Sequence, residues 1–226
     1  MSKLYLVGTP IGNLEDITER AKKVLQKADL VLAEEVQRTQ QLLKGLQIEN
    51  KVVRYHQHSG EKKKEKIKGW LKDGYDLALV TSAGTPGLSD PGNELVIYLR
   101  EQKKDFSIIP IPGVSALTTA ISVCGFPMDE FSFLGFPPKK KRTKFFDRLF
   151  EYSHPVVLFE SCHRIIKTLK EILSRNPEQE VFVGRELTKK FESLYYGDIV
   201  EVIDQLRGDK IKGEFVIIIN NPSKFN

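Results

Sequence analysis

The sequence predicts an α/β protein built from two domains, and three observations carry that expectation. Through the first half, short apolar runs alternate with segments of helical periodicity, the pattern of a mostly parallel sheet covered on both faces. A turn at Pro110-Ile111-Pro112-Gly113 interrupts the alternation, and a second set of apolar runs follows it with less regular spacing. The 226 residues are 40% apolar and 29% charged, enough for two cores and typical of a soluble globular protein. The expected division is 1–111 and 112–226.

In chain order, the first domain has candidate buried strands at Leu4–Val7, Leu30–Ala33, Val52–Tyr55, Leu77–Val80 and Ser107–Ile111. Between the first two, Ile17, Ala21, Val24, Leu25 and Ala28 recur at helical spacing, with Asp16 or Thr18 as the cap. Ile67, Trp70 and Leu71 form a second stripe, and Leu95, Val96 and Leu99 a third. The second domain opens with a small-residue helix from Val114 to about Cys124. Strand-like runs follow at Phe131–Phe136, Val156–Phe159, Val181–Val183, Leu194–Tyr196 and Phe215–Ile219. Ile165, Ile166, Leu169, Ile172 and Leu173 mark its clearest helix, and the sheet is expected to be more mixed than the first.

Several function classes are disfavoured by composition. No run of about 18 apolar residues is present to span a membrane, and the apolar part of the N-terminus is short for a signal peptide and reads as a first strand. Cys124 and Cys162 form neither a disulfide framework nor a metal-ligand spacing, so no metal is expected and a reduced cytoplasm is the natural setting. The net charge is +5, with 18 basic and 15 acidic residues in 1–112 and 17 and 15 in 113–226. An excess spread so evenly permits a nucleic-acid partner without requiring one.

The segment Ala78-Leu79-Val80-Thr81-Ser82-Ala83-Gly84-Thr85-Pro86-Gly87-Leu88-Ser89-Asp90-Pro91-Gly92 carries the most specific signal. An apolar strand ends in a stiff loop with two Pro–Gly turns, and ligands in open α/β sheets lie beyond the carboxyl ends of strands. Gly8-Thr9-Pro10-Ile11-Gly12-Asn13 and Ile111-Pro112-Gly113-Val114-Ser115-Ala116 are loops of the same kind. Pro10 breaks the dinucleotide fingerprint and no Gly-Lys-Ser/Thr is present, which disfavours dinucleotides and triphosphates. A flat, partly apolar ligand with several hydrogen-bonding groups suits three such loops in one cleft between the domains.

These motifs resemble the tetrapyrrole-methylase-type S-adenosylmethionine transferases. Within them, the chain is similar to the bacterial enzymes that methylate the 2′-oxygen of a cytidine in 16S rRNA of the small ribosomal subunit. The resemblance runs from Leu4 to Asn220. It is carried by Val7 to Leu14, Asp16-Ile17-Thr18 with Arg20-Ala21, Ala83 to Pro86, Ser89 to Gly92 and Pro110 to Gly113. Further matches are Gly135-Phe136-Pro137-Pro138, Glu160 to Arg164, Arg185 to Lys189 and Lys212-Gly213-Glu214. It implies a fold of two α/β domains with S-adenosylmethionine in the interdomain cleft, a cytoplasmic location and a homodimer. The positions matching cofactor contacts are Ile11, Ala83, Gly84, Thr85, Leu88, Ser115, Ala116 and Ser161, with Ser82 beside them. Ser82 replaces the family's usual Asp, and Val36-Gln37 stands where Thr-Arg is usual.

Transfer to a ribose hydroxyl calls for alignment and a proton acceptor. Glu34 and Glu35 end the second strand; Glu34 is that acceptor, or the pair is a solvated strand end or a helix N-cap. Arg185 holds an anionic group or an internal salt bridge, with Glu186 beside it as the other candidate. His56 and His58 suit a substrate contact or a surface loop. Lys139, Lys140, Lys141 and Arg142 follow two prolines and suit RNA phosphates, or serve solubility alone. Phe145 and Phe146, in a stripe with Leu149 and Phe150, are expected to pack inward. His163 and Arg164 at a helix start oppose the helix dipole and suggest a role beyond helix stability. Two other readings stay open: methylation of a tetrapyrrole or other small acceptor, and a relative that binds RNA or cofactor without catalysis.

Overall fold

Five parallel strands form the first sheet: β1 (Ser2–Val7), β2 (Leu30–Ala33), β3 (Val52–Arg54), β4 (Leu77–Val80) and β5 (Phe106–Ile111), in the order β3-β2-β4-β1-β5. The computed structural model describes residues 1–56, 59–102, 106–208 and 211–221. Side chains alternate across the strands, so each strand feeds two cores. Val7, Val31, Ala33, Ala78 and Val80 pack against helices α1 (Glu19–Lys27) and α2 (Val36–Gly45). Leu4, Leu30, Leu32, Leu77 and Leu79 pack against α3 (Glu61–Lys72) and α4 (Asn93–Glu101). The continuous apolar runs of the sequence are what burial on both faces requires.

Local chemistry sets the element ends. Thr18 caps α1, its Oγ1 accepting from the Ala21 N–H at 3.1 Å, a contact worth about 1 kcal/mol. The lysine-rich start of α3 is its wet face: Lys64 pairs with Glu94 and Lys68 with Glu65, while Lys63 and Lys66 lie over Trp70. Helix α2 escapes sequence reading because it buries only Thr39 and Leu43, too few to show a period.

The compact units are Met1–Ser115 and Ala116–Asn226. The second begins with helix α5 (Ala116–Val123), and its sheet runs β6-β7-β10-β8-β9. These strands are β6 (Ser132–Gly135), β7 (Val156–Ser161), β8 (Glu180–Arg185), β9 (Ser193–Asp198) and β10 (Glu214–Ile219). Only β6 and β7 pair in parallel, the others being antiparallel, which is the more mixed sheet expected. One face packs on α6 (Arg142–Leu149), α7 (Ile165–Leu173) and α8 (Ile199–Gly208), with Phe146 fully buried and Phe145 against the same core. No helix among the described residues is long and apolar enough to cross a membrane.

Candidate functional site at the carboxyl ends of β4, β1 and β5

In the first sheet the chain leaves β1 toward the β2–β3 edge, whereas it leaves β4 toward β5. The two crossovers therefore pass one another at β4 and β1, on opposite faces of the sheet, and ligands of open α/β sheets lie beyond the carboxyl ends of the strands. The three rigid loops of the sequence end the adjacent strands β4, β1 and β5. Their backbones are stitched together: Thr9 and Gly84 exchange both hydrogen bonds, at 2.9 and 3.0 Å, and the Gly8 N–H donates to Ile111 O at 3.0 Å. Thr85 Oγ1 donates to Val114 O at 3.2 Å.

Two glycines set how close the loops come. A Cβ on Gly8 would lie 2.9 Å from Gly113 Cα, and one on Gly113 would lie 2.7 Å from Gly8 O. Both obstacles are backbone, so no side-chain movement relieves them. Ile11, buried, closes against Gly84, whose φ of +76° suits glycine. Thr9 Oγ1 is buried with no hydrogen-bond partner among the described residues. A buried hydroxyl left unpaired costs about 1–3 kcal/mol, so it marks a place where a polar ligand group would be welcome.

The expected site residues divide between the two units. Ile11, Ser82, Ala83, Gly84, Thr85, Leu88 and Ser115 lie in the first unit, all on these three loops; Ala116 begins α5 and Ser161 ends β7 in the second. Glu34 follows β2, and because Ala33 pairs with Val80 it leaves the sheet level with Thr81. No side-chain hydrogen bond or ion pair engages Glu34 among the described residues; Glu35 is the cap residue of α2, without a side-chain capping bond. His56 follows β3, where its N–H donates to Ser59 Oγ at 3.0 Å. His58 lies outside the described residues.

Arg185 and Glu186 sit in an internal bracket. Arg185 is 9% exposed and donates from Nε to Lys212 O at 2.9 Å. Glu186 Oε1 accepts from Lys189 Nζ at 2.8 Å and from the Glu214 N–H at 3.0 Å. Burial pushes the Glu186 carboxyl up, but the Lys189 and Glu214 hydrogen bonds and the charges of Lys189 and Arg185 outweigh it, leaving the group below its ordinary range. For Lys189, burial acts downward and its bonds to Glu186 and Glu214 prevail, raising it. Gly213 completes the bracket, since a Cβ there would fall 2.4 Å from the Glu186 side chain. This explains the pairing of the Arg185–Lys189 motif with Lys212-Gly213-Glu214.

Arg142 departs from its expected place on the basic surface. It is 9% exposed, and its guanidinium holds both Glu171 oxygens, with Nε 2.8 Å from Oε2, and donates to Thr168 Oγ1 at 2.8 Å and Pro138 O at 3.2 Å. Its planar fork matches the carboxylate, and four buried or half-buried acceptors around it leave no free face for a phosphate. Lys139, Lys140 and Lys141 do lie exposed at the surface.

The family model of the Tetrapyrrole (Corrin/Porphyrin) Methylases matches residues 3–203. The chain belongs to the tetrapyrrole methylase family. Among its relatives, the ribosomal RNA small subunit methyltransferase I of Neisseria meningitidis serogroup A is 41% identical over 220 residues, covering 96% of this chain and 75% of the relative. The protein of the same name from Thermotoga maritima is 39% identical over 221 residues, covering 97% and 99%. Among solved structures, a cobalt precorrin-4 methyltransferase aligns with a TM-score of 0.71 at 20% identity, covering 96% of this chain and 94% of that one. A Thermus thermophilus uroporphyrin-III C-methyltransferase, solved with S-adenosylhomocysteine, aligns at 0.64 with 19% identity, covering 96% and 97%. At such identities these likenesses establish the fold.

Sequence reasoning missed part of this methylase's second unit. Glu160, 1% exposed, accepts from Thr168 Oγ1 at 2.6 Å and from the Ser161 N–H at 2.8 Å, and pairs with Arg164 at 2.8 Å. Arg164 donates in turn to Pro137 O at 2.9 Å. The two arginines of the methylase thus hold the carbonyls of consecutive prolines. The visible signal was the cationic start of α7; its partner, one turn earlier at Glu160, answers why a cation is tolerated there.

Proposed function

We propose that this methylase transfers a methyl group from S-adenosylmethionine to the 2′-oxygen of a cytidine in 16S rRNA of the small ribosomal subunit. The observation that carries the reading is the similarity, near 40% identity over 96–97% of this chain, to proteins named ribosomal RNA small subunit methyltransferase I. The choice of 2′-oxygen and cytidine rests on the motif resemblance. The stitched loops at β4, β1 and β5 fit the cofactor: they offer a narrow backbone cradle, small residues at Ala83 and Gly84, and the unpaired Thr9 hydroxyl. Ile11, Ala83, Gly84, Thr85, Leu88 and Ser115 would hold it there, with Ser82 adjacent; Ala116 and Ser161 are further cofactor contacts that the motif resemblance names.

When bound, S-adenosylmethionine supplies a methyl carbon already activated for displacement. The chain's own residues would then align the ribose hydroxyl and accept its proton. Glu34 is the candidate proton acceptor, at a strand end beside the loop cluster and engaged by no partner among the described residues. Arg185 and Glu186, the other candidate catalytic residues, are held in their bracket by Lys212, Lys189 and Glu214, and His56 is a candidate substrate contact. The exposed lysines at 139–141 supply phosphate contacts, which give affinity without sequence information. A cytoplasmic homodimer is the setting the resemblance implies.

The test is nucleoside analysis of small subunits incubated with the protein and methyl-labelled S-adenosylmethionine. The expected product is one labelled, alkali-resistant 2′-O-methylcytidine; label on a base, or none in RNA, would refute the reading.

A further inference from the structure

The second unit carries an exposed aromatic ring beside its lysine loop. Phe136 is 52% exposed, immediately after β6. It is not a loose side chain. Its ring lies 5.6 Å from that of Phe159 at 63°, and Phe159 lies 4.8 Å from Phe133 at 65°, so the ring rests edge-to-face on an aromatic base. The chain then runs Pro137-Pro138-Lys139-Lys140-Lys141. Both prolines have fixed φ, and their carbonyls are held by Arg164 and Arg142, which are themselves held by Glu160 and Glu171. Lys141 adopts φ +57° as the cap residue of α6, ending the loop in a defined conformation. Three residues span at most about 11 Å, so Lys139 cannot stray far from the Phe136 ring.

A rigid exposed aromatic ring followed by exposed cations suits unpaired nucleotides, whose bases stack on aromatic faces while cations follow the phosphates. We propose that Phe136 is a stacking platform for an unpaired base of the RNA substrate, with Lys139, Lys140 and Lys141 on the adjoining phosphates. The arginine frame, Arg142 buried and Arg164 half-buried, positions the loop for both contacts. This rests on the rRNA reading above and adds to it that the substrate segment is single-stranded where it meets this loop. Charge complementarity favours RNA over a second copy of this chain, whose net charge is also +5.

The test measures binding of the full chain to a fluorescent single-stranded RNA of about twelve nucleotides, within the range of single-strand site sizes, over a series of salt concentrations. Phe136→Leu keeps an apolar side chain and removes the stacking face; it should weaken binding about five- to hundredfold with an unchanged salt slope. Phe136→Trp should restore binding. Lys139→Ala/Lys140→Ala/Lys141→Ala should instead lower the salt slope by about 2, at about 0.7 per lost contact. Methylation of small subunits by the unaltered protein is measured in parallel. If that protein methylates subunits yet Phe136→Leu binds RNA as tightly, the stacking proposal fails alone. If Phe136→Leu changes only the sedimentation of the protein, the ring is a contact between copies and the proposal is wrong. If the unaltered protein neither binds nor methylates RNA, the reading beneath it falls as well.

Discussion

Replacing Arg142 with methionine should destabilise the second unit by about 2–3 kcal/mol. The side chain is 9% exposed and makes charge-assisted bonds to Glu171, with further bonds to Thr168 and Pro138 O. Breaking a buried pair by removing one partner costs about 3–5 kcal/mol. Glu171 keeps 25% of its side chain exposed, so water can recover part of its solvation, which lowers the figure. Methionine also retains apolar contact where the guanidinium lies 5.1 Å over Phe146. The converse change, Glu171→Leu, leaves the more buried cation unpaired and should cost more, about 3–5 kcal/mol. Urea unfolding of the two single variants and Arg142→Met/Glu171→Leu closes a double-mutant cycle. The double variant should lie closer to wild type than the sum of the singles by about 2 kcal/mol, because an apolar pair can replace a buried ion pair. Thermal unfolding of Arg142→Met should fall by about 5–10 °C. Singles within about 0.5 kcal/mol of wild type, or strictly additive effects, would refute the assignment of Arg142 to the interior and return it to the RNA-facing surface.

Gly113→Ala drives a Cβ to 2.7 Å from Gly8 O and should cost about 1–3 kcal/mol, with S-adenosylmethionine binding by calorimetry weakened at least tenfold. Tyr55→Phe should be neutral or stabilise by up to about 1 kcal/mol in thermal unfolding, since burial has pushed this hydroxyl up to about 12 and it finds no partner among the described residues. Glu186 has its folded pKa below the unfolded value, so its stabilisation is present at neutral pH and is lost as pH falls through the depressed value, below about 4.5. Lys189 has a raised folded pKa, so its share is complete below about 10.5 and is lost only as pH rises through the raised value. Glu186→Gln should therefore flatten the acid limb of a stability–pH curve.

Much of this organisation is legible in the sequence because burial on both faces leaves a plain mark. The runs at Leu30–Ala33 and Leu77–Val80 coincide with β2 and β4, and the Pro–Gly punctuation after Val80 marks where the candidate ligand loop begins. The capping choice between Asp16 and Thr18 needed coordinates, since either side chain can serve and Thr18 does. What periodicity does not reveal is which cation faces inward. Arg142 stands in a run of exposed lysines, and only the fold brings Glu171 and Thr168, on another helix, to meet it. The Glu186 bracket is hidden for the same reason, its partner strand lying 28 residues away. Phe136 was part of a strand run by composition, and its exposure follows from the strand ending one residue earlier.

The most direct test of the whole account is a competition in one tube. Purified small ribosomal subunits and a tetrapyrrole precursor are offered together with methyl-labelled S-adenosylmethionine, and the label in each is counted. The account predicts label in the subunits' RNA and none above background in the tetrapyrrole. Label in the tetrapyrrole with none in RNA would contradict it and move the chain's substrate to that of its structural neighbours.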